Sequence, residues 1–126
     1  MMTMYTSGVK AYRKVDLVSA PKTEVLDRLF ARLDLDLRDG QRAIADGNVV
    51  ARAQALDHAS RILTELCAAL DSSAAPELCA NLDALYRYCQ TCITRAALER
   101  KAAHLEQPLS IVATLRAAFA EAALAR

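Results

Sequence analysis

Leu26, Phe30, Leu33, Leu37, Gly40 and Ile44 follow one another at steps of 4, 3, 4, 3 and 4. That spacing puts all six on one stripe of a helix. It does not suit a strand, whose faces alternate every second residue. The rhythm returns at Val49, Ala53, Leu56, Ser60, Leu63, Cys67 and Leu70, and again at Leu78, Leu82, Leu85, Cys89, Cys92 and Ala96. A fourth stripe runs through Leu109, Val112, Leu115, Phe119 and Ala122. Four amphipathic helices are expected. The composition agrees, since 26 alanines and 18 leucines face only 3 glycines and 3 prolines, a surplus of helix formers over helix breakers.

Local punctuation places the boundaries. Ser19-Ala20-Pro21 reads as the start of the first helix, with Ser as cap and Pro in the first turn. Asp46-Gly47-Asn48 reads as its end, because Gly can take the left-handed conformation that closes a helix. The second helix is expected over 49–70, followed by a turn at 71–76 in which Ser73 caps and Pro76 opens the third. The third ends between Ala97 and Ala103, and Pro108 predicts a break near His104–Gln107. Short connections make antiparallel neighbours. The expected fold is all-α, an antiparallel up-down four-helix bundle over residues 19–126 as a single domain. A flexible or short-helical N-terminal arm, residues 1–18, precedes it.

A chain of 126 residues buries about two-thirds of its unfolded surface, enough to fold without disulfides or metal. Sixteen basic residues against fifteen acidic ones lack the excess that nucleic-acid binding requires. No apolar run is long enough to span a bilayer, so no membrane insertion is expected. Residues 1–14 show no secretory signal, which predicts a cytoplasmic location and four free thiols, Cys67, Cys79, Cys89 and Cys92.

Little of the side-chain chemistry points to catalysis, and neither enzymatic activity nor a cofactor is expected. Cys89-Gln90-Thr91-Cys92 has redox spacing, but it falls mid-helix with no strand before it. The sharp reading is a cysteine-lined metal-holding or redox bundle, with Cys67 and Cys79 reaching in. The plain reading is that these cysteines are small hydrophobes in a bundle layer. His58 and His104 lack the Glu-x-x-His pattern of di-iron bundles and read as surface residues. Asp34, Asp36, Arg38 and Asp39 read as a solvated helix face. What remains is apolar surplus. The second helix carries another stripe (Ala55, Ala59, Ile62, Leu66, Ala69), and so does the third (Cys79, Tyr86, Ile93). A thick core, a homodimer seam or a groove for an amphipathic partner would each use that surplus.

Several segments resemble one family, the bacterial flagellin-specific export chaperones (FliS). Ala11-Tyr12-Arg13-Lys14-Val15 with Ser19-Ala20-Pro21 is similar to its N-terminal signature. Glu24-Val25-Leu26 through Phe30, and Ala43-Ile44 before Gly47, resemble its opening helix. Ala59 through Leu70-Asp71 resembles the next. Asn81-Leu82-Asp83-Ala84-Leu85-Tyr86-Arg87-Tyr88 is the most specific match, and Leu115-Arg116-Ala117-Ala118-Phe119 falls where the family has Leu-Arg-x-x-Trp. Phe30-Ala31 stands where the family has Tyr-Asp, and Phe119 where it has Trp.

The resemblance implies a chaperone that binds the disordered C-terminal segment of flagellin, prevents premature polymerisation and delivers it to the flagellar type III export gate. From the stripes, the expected partner-binding residues are Ile62, Leu66, Cys79, Leu82, Tyr86 and Ile93. The resemblance adds Tyr12 and Val15 on an arm expected to cover the empty groove.

Overall fold

The computed structural model describes residues 22–124. The proposed cap at Ser19 and the arm with Tyr12 and Val15 lie outside them. Helix α1 spans Lys22–Asp46, α2 Val49–Ala68, α3 Pro76–Glu99 and α4 Glu106–Leu124, with a 3-10 turn at Ala102–Leu105 before α4. No strand occurs among the described residues, and the chain is the expected helical bundle.

The helix ends show how local chemistry sets the boundaries. Gly47 closes α1 with φ +68°. Its amide bonds the Ile44 carbonyl at 3.2 Å, and Asn48 N–H bonds the Ala43 carbonyl at 2.9 Å. This pair of reversed bonds satisfies carbonyls that the helix would leave unpaired. Asn48 then caps α2 by accepting from Ala51 N–H at 3.0 Å.

One boundary differs from expectation. Ser73 does not cap α3. Its N–H and hydroxyl both bond the Asp71 carboxylate, making a local turn, and α3 starts on Ala75 without a side-chain cap. Pro76 does occupy the first turn. The third helix stops at Arg100, a non-glycine residue with φ +56°, whose amide bonds the Ala96 carbonyl at 2.9 Å. Pro108 sits at the third position of α4, where it costs no intrahelical bond.

Side-chain contacts fix the helix directions. Gln41 Nε2 donates to the Ala102 carbonyl at 3.3 Å near one end of α1. At the other end Arg116 holds Asp27 by two bonds, of 2.7 and 3.2 Å, so α1 and α4 run antiparallel. Gln90 joins α3 to α2 through the Ser60 carbonyl and the Thr64 hydroxyl. α1 packs most extensively on α2 and α4, α3 packs on α2, and α3 and α4 touch least of the adjacent pairs.

The core lies between the helices. Leu26, Phe30, Leu33 and Leu37 of α1 are fully buried. Phe30 and Phe119 stack with ring centroids 5.6 Å apart, which ties the far end of α4 to α1. At the opposite end Gly40 lets α1 approach α2 and the 3-10 turn. A Cβ there would stand 2.6 Å from Leu56 Cδ2 and 3.4 Å from Leu105 Cδ1. Both leucines are buried, so neither can move without opening the core.

The second stripes of α2 and α3 are not surplus. Ile62, Leu66, Cys79, Tyr86 and Ile93 are all buried in the same cluster as the first stripes. The reason is geometric: each of these helices meets two neighbours, so its buried face must be wider than a two-helix seam.

Gly40→Val is expected to destabilise the protein by about 1–3 kcal/mol through overpacking. Urea unfolding monitored by circular dichroism measures this, and an unchanged midpoint would show that α1 and α2 do not meet at Gly40.

Candidate functional site

The residues chosen from the stripes do not form an accessible groove. Ile62 is 4% exposed, Leu66 0%, Cys79 5%, Leu82 3%, Tyr86 1% and Ile93 4%. As surface contacts they are corrected to core residues of the single chain.

The cysteine reading fares no better. All four cysteines are free, and no group of three or more metal-ligating side chains gathers among the described residues. Burial pushes the Cys67 and Cys79 thiols up. At Cys89 burial, with a contribution from Cys92, raises the thiol to about 12. A thiol held protonated is a poor nucleophile and a poor soft-metal ligand at neutral pH.

Two surfaces remain. The first is a polar groove of about 490 Å³ between α1 and α2, lined by Arg32, Asp36, Arg42, Asn48, Gln54 and His58 among others. Its centre corrects the expected solvated face: Asp36 is only 2% exposed. Arg32 reaches it at 3.3 Å, and His58 Nδ1 makes a short contact with its other carboxylate oxygen. Asp36 falls between the stripe residues Leu33 and Gly40, and the close approach at Gly40 draws α2 over it. Arg32 and His58 pair with Asp36, and Arg42 pairs with Asp39 at 3.5 Å, so the groove reads as structural.

The second surface is apolar and lies between α3 and α4. The α3 side that faces α4 carries Leu78, Leu85, Tyr88 and Cys92. The facing side of α4 carries Gln107, Pro108, Ile111, Leu115 and Ala118. The Tyr88 hydroxyl donates to Gln107 Oε1, which joins the two helices across the seam. Leu85 is 37% and Tyr88 45% exposed, while Leu78, Ile111 and Leu115 are half-buried against the core. Hydrogen bonding of its hydroxyl to Cys92, together with burial, raises the Tyr88 phenol above its ordinary value.

This seam exists because α3 and α4 are the loosest adjacent pair. Sequence reasoning missed it, although Leu78 and Leu85 stood on the first stripe of the third helix. The signal was Leu85-x-x-Tyr88, two large apolar side chains one turn apart beside a stripe that already filled the core.

Exposed hydrophobic groups elsewhere are more scattered. Leu35 stands alone on the outer side of α1, and Val49, Val50 and Leu98 lie at helix ends. Isolated apolar residues of this kind are ordinary on protein surfaces. No described helix is long and apolar enough to cross a membrane.

Two further outcomes follow from these arrangements. His58→Leu strands the Asp36 carboxylate in the core with one partner and should cost about 1–3 kcal/mol. Adding Asp36→Leu should recover most of that loss, because an apolar pair can replace a buried ionic one. Chemical unfolding of the two variants measures both, and a double variant less stable than the single would contradict the pairing. Alkaline titration tests the thiols. Cys89 keeps its proton in the folded chain up to about 12 but loses it near the ordinary thiol value of 9.0 when unfolded. The folded state therefore binds more protons across that window, and stability falls as pH rises through it. The fall should be shallower in Cys89→Val.

Comparison with known proteins agrees with this architecture. The family model described as flagellar protein FliS matches residues 5–126. The flagellar secretion chaperone FliS of Salmonella typhimurium strain LT2 is 30% identical, over 92% of this chain and 90% of that protein. This helical bundle, matched by the family model over nearly its whole length, belongs to the FliS family of flagellar secretion chaperones.

Proposed function

We propose that this chain binds the C-terminal segment of flagellin in the α3–α4 seam and delivers it, unpolymerised, to the flagellar type III export gate. The single observation that carries the reading is the half-open apolar seam of Leu78, Leu85, Tyr88, Ile111 and Leu115 in a chain of this family. A segment that becomes helical only on polymerisation exposes apolar side chains while monomeric, and these would associate prematurely. An amphipathic segment laid in the seam would have those side chains covered and would fold as it binds. Ordering such a segment costs several kcal/mol, which burial of about 1,000–3,000 Å² can offset. The activity is binding and release, with no chemical turnover.

Export starts from the cytosol, so the complex forms there. Tyr12 and Val15 on the arm remain part of this proposal: the arm covers the seam while it is empty and moves aside when flagellin enters. Removing residues 1–15 should then raise flagellin affinity or dye binding. Identical values with and without the arm would contradict this role.

The surface itself is tested by Leu85→Asp, a change at an exposed position that the core does not need. A charge there loses an apolar contact and resists desolvation, worth about 1.5–3 kcal/mol together. Calorimetry with a peptide of the C-terminal flagellin segment should show affinity about ten- to a hundred-fold lower, with helicity retained. Unchanged affinity would remove the seam as the binding surface. Mass measurement of the free protein and of its peptide complex reports whether a homodimer competes for the same surface.

A further inference from the structure

The bond from Tyr88 to Gln107 has a role apart from holding the bundle together. Both residues are exposed, and they stand on the outer edges of α3 and α4. Beneath them lie Cys92, 9% exposed, and Pro108, which is fully buried. The bond thus crosses above the floor of the seam at the end nearest the 3-10 turn. The helix pair it joins is otherwise the least tightly packed of the adjacent pairs. From Leu78 to Tyr88 the open part of the seam is about 15 Å long, roughly three turns of a docked helix.

We infer that Tyr88 and Gln107 form a strap that closes this end of the seam and must open for a longer segment to seat. This rests on the seam being the flagellin surface. The strap uses a neutral, exposed hydrogen bond between two single side chains, so it is weak enough to open when the client arrives. Its ring also supplies apolar surface once the hydroxyl is released, so opening the strap turns a barrier into part of the binding wall. Closure in the empty protein limits exposure of the apolar floor and reduces self-association.

Tyr88→Phe keeps the ring and removes the donor, and Gln107→Ala removes the acceptor. Each should tighten binding of a C-terminal flagellin peptide of about 40 residues by two- to five-fold, the range expected for releasing one exposed hydrogen bond. The double variant should bind no tighter than either single one, because both remove the same bond. A peptide trimmed to about ten residues, short enough for the open part, should show a smaller gain than the long one. Weaker or unchanged binding of the long peptide by Tyr88→Phe, or additive gains in the double variant, would overturn the strap. Leu85→Asp in the same titration separates the two ideas. If it abolishes binding while the strap variants change nothing, the seam stands and the strap falls. If it too changes nothing, the seam reading itself fails.

Discussion

The close approach of α1 to its neighbours organises the molecule. At Gly40 the missing side chain lets Leu56 of α2 and Leu105 of the 3-10 turn press against the α1 backbone. At the other end Phe30 stacks on Phe119, and Arg116 clasps Asp27. Held at both ends, α1 becomes the pillar on which α2 and α4 are fixed. α3 is fastened mainly through α2, by Gln90. α3 and α4 touch least of the adjacent pairs and are joined by the exposed Tyr88–Gln107 bond, and that is where apolar side chains are left half-covered. The looseness is a consequence of where the tight contacts were placed, and it leaves an opening without costing the protein a core.

Much of this was legible in the residues themselves. The stripe from Leu26 to Ile44 announced α1, and Gly47 announced its end because only a residue free of a Cβ adopts positive φ without strain. Pro76 and Pro108 marked first turns correctly. The stop at Arg100 fell inside the expected 97–103, but its left-handed turn was not legible, since no glycine signals it. Asp36 was misread for a related reason. A carboxylate within three residues of two others looks solvated. Its burial depends on α2 being drawn in at Gly40 and on His58, 22 positions away, arriving opposite it.

The second stripes were read as surplus by a counting error in physical terms. Two stripes on a helix exceed what one seam needs, but α2 and α3 each serve two seams, so Ile62, Leu66, Tyr86 and Ile93 are spent inside. A periodic pattern reports how much of a helix is apolar. It does not report how far apart the neighbouring helices stand, and the spacing of α3 and α4 decides which apolar residues remain reachable. Family membership supplies the class of activity, while the seam supplies a location for it that can be tested side chain by side chain.

The account turns on where flagellin touches the bundle. Backbone amide shifts followed by NMR while a C-terminal flagellin peptide is added map that contact directly. The account predicts the largest changes along residues 78–92 and 107–118, with the Asp36–His58 region little affected. Changes confined to the polar groove between α1 and α2, or spread without preference over all four helices, would contradict it.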